Sequence, residues 1–200
     1  MCNEYQRNKT MEEALRAFDK RGLPLFKWEA GLIPNALQAQ PSIRIRDSGV
    51  IVRLADGQLQ GSMTTWAWPG PKGPVFNFRS EGRDFSHSDR VLILADGFFE
   101  YTPGKAKLKD RHLFALPGED WFWIAGLVKE GCFSMLTTAP GPDVAPYHDR
   151  QIVTLPLETG MDWLSLARPE AEILRAPPAG TFTVTTLRKD GTEPNGDLFA

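Results

Sequence analysis

Cys2 follows the initiator methionine directly, so removal of Met1 would leave a cysteine that carries both a free α-amine and a thiol. No internal cysteine can offer that 1,2-aminothiol. With reference pKa values of about 7.7–8.0 for the amine and about 8.5 for the thiol, both nucleophiles are partly available near neutral pH. An aldehyde meeting the pair would form a Schiff base with the amine and then be closed by the sulfur into a five-membered thiazolidine. A small residue tolerated after a start codon would look the same at this one position, so partners have to come from elsewhere. Three further polar segments interrupt apolar surroundings: Asn77-Phe78-Arg79-Ser80-Glu81, Ala95-Asp96-Gly97-Phe98-Phe99-Glu100-Tyr101 and His148-Asp149-Arg150. Together with Cys2 they hold a nucleophile, an amide, a carboxylate and an imidazole, the inventory of Schiff-base and thiol chemistry. Their convergence is a matter for tertiary structure.

The elements that must position these groups are mostly strands. Thr10 and Glu13 have capping-box spacing, and Met11, Ala14, Leu15 and Phe18 fall on one helical face before Gly22. From there to about residue 155 the chain reads as short apolar runs broken by Gly, Pro and Asp: Ser42–Arg46, Val50–Leu54, Val75–Phe78, Val91–Ala95, Trp121–Val128 and Cys132–Thr138. Ile43–Arg46 and Val50–Arg53 around Asp47-Ser48-Gly49 predict one hairpin, and Trp121–Val128 with Cys132–Thr138 around Lys129-Glu130-Gly131 predict another. Leu157–Leu166 reads as a helix, Phe182–Leu187 as a final strand and Arg188–Ala200 as a polar tail. No regular strand–helix alternation and no Gly-rich phosphate loop is present, which argues against a Rossmann-type sheet.

Bulk properties narrow the classes. A chain of 200 residues with 42% hydrophobic content can bury one sizeable core, and one domain over 1–187 is expected. A formal net charge of −2 argues against a protein that coats duplex nucleic acid non-specifically, so any such site must be a local basic patch. No apolar run reaches the ~20 residues that span a bilayer, and the first residues lack a signal-peptide core. With two cysteines, Cys2 and Cys132, the expected compartment is the cytosol and both thiols reduced. Nothing in the motifs calls for a metal or cofactor, and a monomer is expected.

The ordered set of Cys2, N-x-R-x-E at Asn77–Glu81, A-D-G-F-F-E-Y at Ala95–Tyr101 and H-D-R at His148–Arg150 resembles the SOS response-associated peptidase (SRAP) family. The likeness covers residues 2 to about 166. It implies an α+β, β-rich fold with a barrel-like or bifurcated antiparallel sheet flanked by a few short helices. It also implies recognition of abasic sites in single-stranded DNA, covalent capture through the mature N-terminal cysteine, autoproteolytic release of Met1 and a lyase activity. Carried over, Cys2 would be the crosslinking nucleophile and Asn77 would hold the N-terminal residue and the sugar. Glu100 would be the general acid/base, its pKa raised by a poorly solvated spot after Phe98 and Phe99. His148 would assist sugar-ring opening or protonate the leaving oxygen. Each has a bland counterpart: a strand-end Asn, a solvent-facing carboxylate, a capped loop histidine. His87 and His112 match no motif and read as structural or exposed.

Arg79 and Arg150 are the candidates for phosphate contacts, since a guanidinium binds phosphate bidentately. Trp66 and Trp68 lie two apart, so an extended strand would put both indoles on one face, either as a base-stacking platform or as core. Lys105, Lys107, Lys109 and Arg111 alternate at period two and read as a solvated loop rather than a basic stripe. The chain departs from the common family pattern at Asn3-Glu4, where many members carry Gly-Arg; there Glu4 would repel phosphate. Gln151-Ile152 stands where Met-Pro is usual. An N-terminal-nucleophile cysteine amidohydrolase or glutamine amidotransferase is the other reading, although Asn3-Glu4 does not continue the Gly-Ile run common after that cysteine. In a thiol protease or a non-catalytic DNA-binding module, Cys2 would be incidental.

Overall fold

The computed structural model describes residues 2–29, 32, 37–103, 109–118 and 121–188. The predicted apolar runs form strands. The chain begins with β1 (Glu4–Arg7) and α1 (Met11–Lys20), then runs through β2 (Lys27–Trp28), β3 (Gln40–Arg44), β4 (Ser48–Ala55), β5 (Gln58–Trp66) and β6 (Asn77–Arg79). It continues with β7 (Arg90–Ala95), β8 (Gly97–Pro103), β9 (Lys109–Ala115), β10 (Phe122–Lys129), β11 (Cys132–Thr138), β12 (Gln151–Ile152) and β13 (Thr154–Leu155). Two short helices, α2 (Gly160–Ser165) and α3 (Glu170–Ile173), precede β14 (Thr183–Arg188). Residues 189–200, most of the expected tail, lie outside the described residues.

The capping box at α1 is formed. The Glu13 N–H donates to Thr10 Oγ1 at 3.3 Å and the Thr10 N–H donates to the Glu13 carboxylate at 2.7 Å. A cap of this kind contributes about 1 kcal/mol. Met11, Ala14 and Phe18 are the buried face of the helix, as a 3.6-residue period requires.

The smaller sheet is antiparallel throughout, in the order β14-β9-β8-β1-β3. The larger has the order β12-β11-β10-β7-β4-β5-β2, with β13 beside β10 and β6 beside β11. β11 also pairs in parallel with β5, so that β5, β4, β7, β10 and β11 bend into a partial ring rather than a closed barrel. The fold is the β-rich one that the resemblance implied.

Apolar runs without polar alternation are what a sheet buried on both faces needs. In β7, Leu92 and Leu94 enter one core while Val91, Ile93 and Ala95 enter the other. β4 divides its residues likewise, with Val50 and Val52 on one side and Ile51 on the other, and so does β10, with Trp123 and Ala125 opposite Phe122 and Ile124. The first core is closed by α1, α2 and α3 through Phe18, Trp163 and Ile173. The second lies between the two sheets, where Tyr5, Ile43, Phe98 and Phe114 of the smaller sheet meet it.

Of the two predicted hairpins, β10–β11 forms, turning at Glu130 and Gly131 with φ of 52° and 73°. The other does not. Asp47 does close a turn, its N–H donating to Arg44 O at 2.8 Å, but β3 pairs with β1 in the smaller sheet while β4 pairs with β5 and β7 in the larger. The turn therefore carries the chain between sheets. Gly49 permits the crossing, since a Cβ there would stand 1.9 Å from the Tyr5 hydroxyl oxygen. The hairpin partner of β4 is β5, joined through Asp56 and Gly57, both with positive φ. The predicted Leu157–Leu166 helix begins as a 3-10 turn, Leu157–Thr159, continues as α2 and stops at Leu166, whose φ is 53°.

Candidate active site

β1 lies inside the smaller sheet, flanked by β8 and β3, and Cys2 sits just ahead of it with 1% of its surface exposed. Its thiol donates to Glu4 O at 3.2 Å. Asn77 reaches it from the other sheet: β6 is fixed by parallel pairing with β11, and Asn77 Nδ2 donates to the Cys2 carbonyl at 2.7 Å. Asn77 Oδ1 is buried and receives no hydrogen bond among the described residues, which leaves an acceptor beside the N-terminal residue. Glu100, on β8 next to the Phe99 that pairs with Glu4, is buried as well. Burial and then the Glu100 charge push the Cys2 thiol up. Burial raises the Glu100 carboxyl to about 7, the positive amino terminus acting against it and Asp149 with it. A carboxyl of that pKa can both give and take a proton near neutrality.

His148 ends the turn that starts at Gly141, and its N–H donates to Val144 O at 3.0 Å. Burial and then the amino-terminal charge push the ring below its ordinary value, with Asp149 opposing them. Its Nδ1 lies 3.0 Å from the Arg150 N–H and 2.8 Å from Asp149 Oδ1. One nitrogen serves one of these at a time: the neutral ring accepts from Arg150, and the imidazolium donates to Asp149. Asn77 and Glu100, far from Cys2 in sequence, are thus brought to it, and His148 feels the same amino-terminal and Asp149 charges as Glu100 does.

The DNA-contact candidates fare differently. Arg79 is exposed on β6. Arg150 is not free for phosphate, because its guanidinium forms a two-pronged pair with Glu81 at 2.5 and 2.8 Å and donates to Thr137 Oγ1 at 3.0 Å. The Arg150 bond is the largest of the causes that hold the Glu81 carboxyl down at about 2. Trp66 and Trp68 make no stacking platform. Ala67 between them has φ of 80°, which breaks the extended strand and sends the two indoles into different cores. Trp66 is wholly buried, stacked on Phe133 with Nε1 donating to Phe76 O at 2.9 Å, and Trp68 packs on Phe78. Lys105 and Lys107 lie outside the described residues.

Glu4, expected to repel phosphate, is instead buried on the face of the smaller sheet turned from the second core. Ser42 Oγ donates to it at 2.6 Å, Arg111 Nη2 at 2.7 Å and the Tyr101 hydroxyl at close range, while Arg44 lies 3.7 Å away. Burial opposes ionisation of Glu4, but these donors outweigh it and hold the carboxyl below its ordinary value. Arg111 also lies over the Phe99 ring at 3.5 Å. So Arg111, read as part of a solvated loop, is a structural cation that ties β9 to β1. Only the cross-strand register, with Tyr101 opposite Arg111 and Glu4 opposite Phe99, reveals the group.

A buried aminothiol precursor, an amide at its carbonyl, a carboxyl poised near neutrality and an imidazole can activate an N-terminal residue and shuttle protons around it. Solved structures share the fold. They include a protein from Bacteroides thetaiotaomicron (16% identity, TM-score 0.69, 94% of this chain and 93% of that one). Two more come from Bordetella bronchiseptica: a phage-related protein (21%, 0.67, 94% and 95%) and a second protein (20%, 0.67, 93% and 99%). No curated protein matches the chain. The model of the SOS response associated peptidase (SRAP) family matches residues 1–190, and the chain belongs to that family.

Proposed function

We propose that this member of the SOS-response-associated peptidases, a family tied to the response to DNA damage, captures abasic sites in single-stranded DNA covalently through Cys2. Hydrolysis of the Met1–Cys2 amide by one water frees the Cys2 amine. The amine adds to the aldehyde of the ring-opened sugar, and the carbinolamine loses water to give an iminium. The sulfur then adds to the same carbon while its proton leaves through Glu100, closing the thiazolidine. His148 assists ring opening by protonating the sugar oxygen, and Asn77 holds the N-terminal residue with its amide and the sugar with its open Oδ1. Arg79 is the phosphate contact of the N-x-R-x-E element.

The observation that carries this reading is Cys2 held by Asn77 at 2.7 Å beside the buried Glu100, whose carboxyl that burial raises toward neutrality. With Met1 in place the thiol is pushed up by burial and is a poor nucleophile, in keeping with attack by the freed amine first. The test is incubation with a single-stranded oligonucleotide bearing one abasic site, with and without borohydride, followed by a denaturing gel and intact mass. The expected product forms without reductant and has the mass of DNA plus protein lacking Met1, less one water. Absence of any reductant-independent adduct refutes the proposal.

A further inference from the structure

We propose that His112 is a positioning residue for His148, acting through the ring of Tyr147; the role rests on the function proposed above. His112 matches no family motif, yet it stands in line with the site. It is directly opposite Glu100 on β8 and directly opposite Thr186 on β14, forming a row across three strands. Side chains opposite each other in this way have Cβ atoms about 4.5–5.5 Å apart.

The imidazole is pinned at both nitrogens. Nε2 lies 2.7 Å from Thr102 Oγ1 and Nδ1 lies 2.8 Å from Thr186 Oγ1. A neutral ring has one donor and one acceptor, and two hydroxyls can supply the complement of each, so the orientation is fixed without any charge. Burial, which pushes the ring below its ordinary pKa, keeps it in that neutral form.

Tyr147 packs against this fixed ring at a tilt of 52°. The two ring centroids are 4.5 Å apart, and Tyr147 also meets Phe114 edge-on at 5.3 Å. Tyr147 immediately precedes His148, and the N–H groups of both donate to Val144 O, at 2.8 and 3.0 Å. With the turn closed behind it, the seat of the Tyr147 ring sets where the next side chain points. His112 and Phe114 are that seat, and only His112 is locked from both sides by hydrogen bonds.

The test uses the protein lacking Met1 and compares two quantities: the rate of adduct formation at saturating protein, and affinity for an oligonucleotide carrying a tetrahydrofuran in place of the abasic sugar. His112→Ala and Tyr147→Ala should each slow adduct formation by about 10- to 100-fold, the order expected when a reacting group is displaced by about 1 Å, with affinity unchanged. Tyr147→Phe, which keeps the ring, should keep the rate. In a His148→Ala background neither alanine change should slow the reaction further, because the group they position is gone. Full additive losses in that background, or wild-type rates for both single variants, would overturn the proposal. Tyr147 is half-buried in a turn, so its variants carry the test if His112→Ala fails to fold. An unmutated protein that forms no reductant-independent adduct instead removes the function on which the role rests, so the two failures are distinct.

Discussion

Glu100→Gln should uncouple stability from chemistry in a pH-dependent way. The Glu100 carboxyl is raised from 4.5 to about 7, chiefly by burial, so the folded protein resists its ionisation while the unfolded chain does not. Between those two values the folded state binds more protons than the unfolded one, and stability falls as pH rises through the window. At about 1.4 kcal/mol per pH unit, the penalty is absent below pH 4.5 and reaches roughly 3 kcal/mol above pH 7. The glutamine keeps the shape and cannot ionise. Urea unfolding of both proteins from pH 4 to 8.5 should therefore give a stability difference that shifts by about 3 kcal/mol in favour of the variant as pH rises. Taking the difference cancels titrating groups not coupled to Glu100, such as Asp96, whose carboxyl burial raises to about 6. In the same variant, adduct formation should slow by at least about 100-fold at pH 7, the usual scale of a lost general acid or base. Parallel stability curves would refute the buried, poised carboxyl; an unslowed reaction would refute its proton-transfer role.

Cys2→Ala in the processed protein should abolish the reductant-independent adduct yet leave a Schiff base that borohydride traps, because the amine remains; intact mass separates the two products. Arg79→Ala should lower the slope of log affinity against log salt by about 0.7 on a single strand, the change that follows when one phosphate is no longer neutralised. Arg150→Ala should act mainly on stability, since Glu81 and Thr137 already hold that guanidinium, and Glu81→Gln should produce a loss that does not add to it in thermal unfolding. Glu4→Ala leaves the half-buried Arg111, with the Ser42 and Tyr101 hydroxyls, without its carboxylate and should destabilise the protein by about 1–3 kcal/mol in urea, whereas a surface glutamate would give no measurable change.

Features that depend on a few neighbouring residues were legible in the sequence. The Thr10–Glu13 cap forms because its donors and acceptors lie within one turn, and β10–β11 forms because Glu130 and Gly131 supply the left-handed φ values that a tight turn needs. The apolar runs at Val91–Ala95 and Trp121–Val128 were legible as strands, and their lack of polar alternation suits a sheet covered on both faces. Likewise the ordered motifs named Asn77 and Glu100, which the fold brings to Cys2, although not the distance between them. What the sequence withheld was exposure and partnership. A single positive φ at Ala67 sent Trp66 and Trp68 to opposite sides of the larger sheet, and strand periodicity alone gives no sign of such a break. The turn at Asp47 is locally sound, yet its strands join different sheets because Ile43 and Tyr5 bury together while Val50–Val52 pairs across β4–β5 and β4–β7. Glu4 looked like a surface charge and Arg111 like part of a basic loop; they neutralise each other across 107 residues of chain. His112 became part of the site only through its strand neighbours and Tyr147. Local signals set each segment's conformation, but cross-strand register decides which charge meets which and which ring is buried, and register is settled by the packing of the whole molecule.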